Sequence, residues 1–550
     1  MNFLDNIFER LRRDPGRVVL QETRDARLVP TTAGELLEMI RRARSFVRAS
    51  GLKRGDRCAL FAPNSVRWVA ADLALMAEGV LVVPLYSRQA PKELAAMVRD
   101  SGASLVCCAD SALRDALARE LASPPRMVLF ENVFASADSA IPDAPELHAE
   151  GDPVTIIYTS GTSGDAKGVV LTVGNLNHML KCTAQRLDAL MSQPRLEPER
   201  VFHYLPLNFA VSWISLLSGL SRNAVVTLST DLAKLADEMR LAAPEYFLNV
   251  PALLERVKKG IEEQIEKRGG LARALFTRAR AAWFRQQEGK SSALDELWLG
   301  LARAIVFPAI RKKLSANLRA LICGSAALAL ETQQFFFMLG IPVLQVYGLT
   351  ETTAICTMDI PGRVEPGWVG PAIEGTEMKL GENEEILVRG PHVFPGYWDR
   401  PEESSKVLRD GWFHSGDQGE VNPRGNWRIS GRLKNLLILA SGHNIAPEPL
   451  EDALARQIPG AQQVVLVGDQ RSYLAALLTG AIARDEVEPA LARFNDGLPH
   501  YKRIHAFHIC PEAFTIENGL LTANGKLKRD AIAARYRAEI EAMYQKKVTA

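Results

Sequence analysis

The densest chemistry in the sequence lies between Thr159 and Gly168, TSGTSGDAKG, where eight of ten residues are Gly, Ser, Thr or Lys. Glycines let a backbone turn tightly and bring its N–H groups close to a ligand. Hydroxyls add donors that rotate to suit, and Lys167 adds a positive charge. This is the chemistry of a loop built around phosphate. It is not the Walker loop, in which a Gly-Lys-Ser/Thr run opens a helix. Here Lys167 is followed by Gly168 and an apolar run, which predicts a hairpin between strands. A plain surface hairpin does not call for so many hydroxyls and glycines in a row.

The elements around this loop read as α/β. Thr31–Ala49 has helical periodicity, with Thr32 and Glu35 placed for a capping box. Arg57–Ala62, Gly79–Leu85 and Ser104–Cys108 read as buried strands, with Ala70–Met76 and Pro91–Ser101 as intervening helices; Met127–Phe130 extends the series. Near-continuous apolar strands alternating with helices predict a parallel sheet covered on both faces. After the loop, Asn175–Leu190 and Leu232–Leu241 are expected helices, and His203–Leu207 and Ala224–Leu228 expected strands. Leu318–Cys323 and Pro342–Val346 are further strands, ending in Gly324-Ser325-Ala326 and Tyr347-Gly-Leu-Thr-Glu-Thr-Thr353. Ligands collect at the carboxyl ends of strands in open α/β sheets, so turns after Ile157, Cys323 and Val346 point to a nucleotide pocket.

At 550 residues, two or more domains are expected. A net charge of +2, with 47% apolar and 24% charged residues, is that of a globular protein without a dominant pull toward nucleic acid. Seven scattered cysteines without a C-x-x-C pair read as buried thiols of a reducing compartment. The start, MNFLDNIFERLRRD, has no h-region, and no apolar run reaches the roughly 18–20 residues of a membrane span, so a cytoplasmic protein is expected. From Arg256 to Lys313 fourteen Lys or Arg face six Asp or Glu, with Trp283, Phe284, Trp298 and Ile305 interleaved. This is either a helical insertion with a solvated basic face or one resting on anionic lipid at the inner face of a membrane. Gly362–Asn426 reads as a β-rich subdomain, and the chain beyond Lys434 as a small α+β domain.

Five ordered motifs carry a resemblance: YTSGTSGDAKG, Tyr347–Thr353, Gly411-Trp-Phe-His-Ser-Gly-Asp417, Gly431-Arg-Leu-Lys434 and Asn524-Gly-Lys526. In this order they resemble the acyl-adenylate-forming superfamily of AMP-binding enzymes, from about residue 10 to 540. The insertion after Val250-Pro251, Gly442-His-Asn-Ile-Ala-Pro447 and Glu517-Asn-Gly-Leu-Leu-Thr522 are similar to the long-chain fatty acyl-CoA synthetases. The resemblance implies a large N-terminal domain, residues 1–433, of stacked parallel-rich sheets with a β-rich subdomain. A small mobile α+β domain, 434–550, would follow. It implies ATP, Mg²⁺ and coenzyme A as cofactors.

The resemblance also assigns roles. Thr159, Ser160, Gly161, Thr162, Ser163, Gly164 and Lys167 would cradle the β- and γ-phosphates. Glu351, with Thr159, would hold Mg²⁺, and Thr350 would bind the α-phosphate. Gly324, Ser325, Tyr347 and Gly348 would line the adenine pocket. Asp417 would take the ribose hydroxyls, with Arg432 beside it. Lys526 would stabilise the adenylation transition state, Lys434 would be the hinge, and Gly442 and His443 would face the thioester step. Taken alone, Glu351 reads as a helix-start acid and Lys526 as a surface lysine, and a core aromatic is the competing reading of Tyr347.

Departures are as telling. Ser163 and Ala166 stand where the family often has Thr and Pro, Ser325 replaces a commoner glycine, and Phe209 aligns with a histidine at the acyl-pocket entrance. The expectation is an ATP- and Mg²⁺-dependent ligase that joins a medium- to long-chain fatty, or similarly apolar, acid to coenzyme A. The alternatives are a ligase that passes its acyl-AMP to an acyl carrier protein, and an inactive nucleotide-binding or membrane-associated protein.

Overall fold

Two parallel-rich sheets frame the large domain in the computed structural model, which describes residues 2–135, 141, 144–146, 148–159, 166–191, 197–522 and 525–545. One sheet has six strands, in the order Arg126–Leu129, Leu105–Cys108, Arg57–Phe61, Leu81–Leu85, Pro153–Thr159 and Lys167–Thr172. Its first five run parallel; the last pair is the expected antiparallel hairpin, with Thr159 opposite Lys167. Leu81–Leu85 and Leu105–Cys108 are buried along their whole length, as strands covered on both faces must be.

The second sheet has eight strands. Tyr246–Asn249, Ala320–Cys323 and Val343–Tyr347 are parallel neighbours within it. The three chemically suggestive strand ends are therefore divided: that of Thr159 belongs to the first sheet, and those of Cys323 and Tyr347 lie side by side in the second.

Local signals account for much of this. Thr32 caps the helix Ala33–Ala49 and Glu35 closes the capping box. The strand expected at His203–Leu207 instead spans Glu199–His203, ending where pairing with Leu228 ends. Pro206 has no N–H to continue a ladder, so the apolar run beyond His203 becomes a turn. The hairpin Val18–Arg24/Arg27–Thr32 was not expected. Its turn residues Asp25 and Ala26 both take left-handed φ, 47° and 57°, without a glycine to announce it.

The basic insertion is three helices, Pro251–Arg268, Gly270–Gln287 and Ala293–Leu314, which share a core with Phe335 and Phe336 of the helix Leu330–Met338. The β-rich subdomain is a five-stranded sheet that includes Trp412–Val421 and Trp427–Arg432. The smaller C-terminal domain packs Pro447–Gln457 and Arg484–Asp496 on a sheet of Ala461–Val467, Leu474–Gly480 and Ile504–Ile509. Lys528 Nζ of this domain meets Glu93 Oε1 of the large domain at 2.7 Å.

Candidate active site

Asp417 and Arg432 face each other across two antiparallel strands, and the Arg432 Nε lies 2.7 Å from Asp417 Oδ1. Tyr347, at the end of its strand in the second sheet, donates its hydroxyl to Asp417 Oδ2 at 2.9 Å. Asp417 is 3% exposed, and its Oδ1 makes no aligned hydrogen bond despite the nearby guanidinium. A carboxylate oxygen that meets its cation off-axis keeps lone pairs for a further donor. Burial raises the Asp417 pKa; Arg432 chiefly, then Tyr347, Lys526 and Lys434, work against that rise. Burial, reinforced by the Asp417 charge, pushes Tyr347 well above its ordinary value, so it stays a hydroxyl donor.

Two lysines of the smaller domain complete the cluster. Lys526 is solvent-exposed yet has protein around it. Its pKa is lowered, first by dehydration and then by Arg432, while Asp417 and Glu351 pull the other way. Lys434 is lowered to about 8, again by dehydration first and Arg432 second. One small region thus concentrates positive charge, an arrangement that attracts anions.

Glu351 sits in the short 3-10 turn Thr350–Thr352, directly after the strand that carries Tyr347. Its Oε1 accepts from the Tyr397 hydroxyl at 2.9 Å, and its carbonyl oxygen accepts from the Phe394 N–H at 2.8 Å. The turn returns through Thr353 and Ala354, both with positive φ, 50° and 92°. A side chain on Gly348 would lie 2.2 Å from the Ala354 carbonyl oxygen, so only glycine fits beneath this turn. Likewise a Cβ on Gly324 would lie 2.6 Å from Val346, which brings the two turns of the second sheet onto each other. Ser325 adopts φ 72°, the conformation that a second glycine would take without strain.

Lys167 pairs with Glu403, and its Nζ lies 5.2 Å from the centre of the Tyr397 ring. Segment 394–398 therefore touches both halves of the site. Val169 bridges Tyr397, and Trp398 N–H donates to the Gly168 carbonyl at 2.7 Å. Neither Tyr397 nor Glu403 was singled out in the sequence; the hydrogen bond to Glu351 spans 46 residues, and only strand pairing reveals it. Among the described residues no three His, Cys, Asp or Glu side chains gather as a metal cage. A lone carboxylate suits Mg²⁺, which keeps waters and takes its other ligands from phosphate.

The structure thus brings Tyr347, Glu351, Asp417, Arg432 and Lys526 into one electrostatic neighbourhood, with Thr350 adjacent in the same turn. Ser160, Gly161, Thr162, Ser163 and Gly164 lie outside the described residues, as does Asn524. Gly442 and His443 are not drawn in: His443 stacks on Tyr501 at 4.2 Å and meets Ser441 Oγ at 3.0 Å, within the smaller domain. Phe209 precedes the helix Ala210–Leu220, and its ring lies 6.0 Å from that of Tyr86. The nearby His203 does not substitute for a histidine there. It is buried on Ser212 Oγ at 2.9 Å, and dehydration lowers its pKa to about 4.

The AMP-binding enzyme family matches residues 7–398, and the AMP-binding enzyme C-terminal domain matches 434–548. Long-chain-fatty-acid--CoA ligase FadD15 of Mycobacterium bovis is 28% identical, over 98% of this chain and 96% of its own. The chloroplastic long-chain-fatty-acid--[acyl-carrier-protein] ligase AEE15 of Arabidopsis thaliana is 26% identical, over 90% and 80%. Among solved structures, the O-succinylbenzoate coenzyme A synthetase of Bacillus subtilis, in complex with AMP, superposes with a TM-score of 0.74. It is 20% identical and the match covers 96% of this chain and 97% of that one.

Proposed function

The chain belongs to the AMP-binding enzyme family, and from that footing we propose that it activates a medium- to long-chain fatty acid with ATP and transfers it to coenzyme A. One observation carries the proposal: Asp417, buried and held by Arg432 and Tyr347 in the large domain, lies within electrostatic reach of Lys526 of the smaller one.

The roles follow from charge. Adenylation brings two anions together, so the work lies in neutralising and orienting them. Asp417 accepts from the ribose, with Tyr347 and Arg432 fixing its carboxylate. Lys526 reaches the acid's carboxylate and the α-phosphate and stabilises the charge that builds as the acyl oxygen attacks phosphorus. Thr350 donates to the same phosphate, and Lys167, with the loop from Thr159, neutralises the β- and γ-phosphates that leave. Glu351, with Thr159, would hold Mg²⁺, which when bound offsets negative charge on the phosphate oxygens. Gly324, Ser325 and Gly348 line the adenine pocket, the two glycines at positions where a Cβ would clash with Val346 and Ala354.

In the second half-reaction the thiolate of coenzyme A attacks the acyl carbonyl and AMP departs. We place the hinge at Lys434, where residues 434–550 rotate, withdraw Lys526 and bring Gly442 and His443 to the cleft. Support comes from their present position inside the smaller domain. The acid itself is drawn from a membrane, with the basic insertion resting on anionic lipid; no helix among the described residues is long and apolar enough to cross one.

Product analysis tests the proposal. With ATP, Mg²⁺ and a soluble fatty acid, coenzyme A is expected to yield acyl-CoA, AMP and pyrophosphate. The likeness to the carrier-protein ligase motivates one second reading, transfer to a phosphopantetheinyl carrier. If no acid of any chain length elicits pyrophosphate release, an inactive nucleotide-binding protein is favoured instead.

A further inference from the structure

The third insertion helix, Ala293–Leu314, is apolar on two opposite faces. Leu299, Ala302, Phe307 and Ile310 are buried against the rest of the domain. On the opposite side Leu294, Leu297, Leu301 and Ile305 are 66%, 54%, 38% and 63% exposed. Their spacing of three, four and four residues makes one continuous stripe, about 17 Å long at 1.5 Å per residue. Trp298 lies beside it, half-buried, with the Arg278 guanidinium 4.5 Å from its ring. From Leu294 to Pro308 no charged residue interrupts this side; the next on it is Lys312. A second apolar face on a helix belongs in a core or against a nonaqueous surface, and here only one of the two faces is in a core.

We propose that this stripe is a docking face that lies in the headgroup–acyl boundary of an anionic membrane. The proposal rests on the fatty-acid reading above and gives it a residue-level contact. Charge complementarity selects the occupant. Residues 256–313 carry eight more positive than negative charges, and Arg278 and Lys312 flank the stripe. The helix would lie in the membrane plane with its leucines a few ångströms deep, the tryptophan at the boundary and the basic side chains on lipid phosphates. A second copy of the chain would meet the same excess of positive charge and is disfavoured. The sequence suggested a basic face; the structure shows that the exposed face of this helix is apolar and the basic groups flank it.

The test is sedimentation of the full chain with vesicles of phosphatidylcholine, with and without about one third phosphatidylglycerol. Wild type should bind the anionic vesicles at least about tenfold more tightly than the neutral ones. The variant Leu297→Ser/Leu301→Ser/Ile305→Ser should lose roughly 10- to 100-fold of that binding. Its melting temperature and its pyrophosphate release with soluble octanoate should be unchanged, because these side chains already face solvent. Arg278→Glu/Lys312→Glu should lose the preference for anionic lipid. Wild type that ignores both vesicles, or a serine variant that binds as wild type does, would overturn the inference. So would a stripe needed for self-association or for binding an acidic protein, but not lipid. Absence of octanoate activation in wild type, with vesicle binding intact, would instead count against the fatty-acid reading alone.

Discussion

The Tyr397 hydroxyl donates to Glu351 Oε1 at 2.9 Å, while the face of the same ring receives the Lys167 ammonium at 5.2 Å. One side chain thus touches the carboxylate suited to Mg²⁺ and the lysine suited to the terminal phosphates. Tyr397→Phe should keep the cation–π contact and lose the hydrogen bond. The expected outcome is a weaker hold on Glu351: the Mg²⁺ concentration for half-maximal ATP binding rises about three- to tenfold, and AMP affinity stays the same. Calorimetric titration of ATP at several Mg²⁺ concentrations reads this; an unaltered Mg²⁺ dependence would show that the bond is structural only.

Lys526 serves adenylation alone in the proposed mechanism. Lys526→Ala should slow pyrophosphate release by on the order of 10²-fold or more, which is about 3 kcal/mol of transition-state stabilisation. Thioester formation from supplied acyl-AMP should be within about threefold of wild type. Loss of both steps would argue against rotation of the smaller domain between them.

Asp417 is predicted to recognise ribose. Asp417→Asn preserves the shape and an acceptor for Tyr347 but removes the charge that Arg432 faces. AMP affinity should fall at least about tenfold while pyrophosphate affinity is unchanged. Equal losses for both ligands would mean that the substitution disturbed the whole cleft.

Far from the cleft, Asp72 is 1% exposed and accepts a hydrogen bond from Trp213 Nε1 at 2.8 Å. Dehydration, only partly offset by that bond, raises its pKa to about 7. A folded pKa above the unfolded value of about 3.9 means stability that is full below pH 4 and lost as pH rises to 7. In Asp72→Asn that loss should vanish. Its melting temperature relative to wild type should climb between pH 4 and pH 7 and then level off, reflecting a stability difference on the order of 2–4 kcal/mol. A difference independent of pH would contradict the burial of a titrating carboxyl there.

Much of the fold was legible because its signals are local. The buried strands around Leu81–Leu85 and Leu105–Cys108 and the Thr32–Glu35 capping box were readable from a few adjacent residues. The hairpin of Pro153–Thr159 and Lys167–Thr172 was readable because Gly168 and the apolar run after it argue against a helix. The candidate site was proposed from ordered motifs, of which the structure brings Tyr347, Glu351, Asp417 and Arg432 close together. What sequence could not supply was contact across distance. Tyr397 meets Glu351 only because the 394–398 segment pairs with the strand from Lys167. The Asp25-Ala26 turn was missed because Ala26 takes a left-handed conformation that its residue type does not signal, where a glycine or asparagine would have. The exposed stripe of the third insertion helix was hidden for a related reason. Leu294, Leu297, Leu301 and Ile305 look like core residues until the other face of the helix is known to be filled.

Mass spectrometry of the acylated product tests the account most directly, with ATP, Mg²⁺ and a soluble fatty acid offered together with both coenzyme A and a phosphopantetheinyl carrier. The account predicts acyl-CoA in step with AMP and pyrophosphate, and an unmodified carrier. Acyl-AMP accumulating while coenzyme A stays free and the carrier becomes acylated would contradict it.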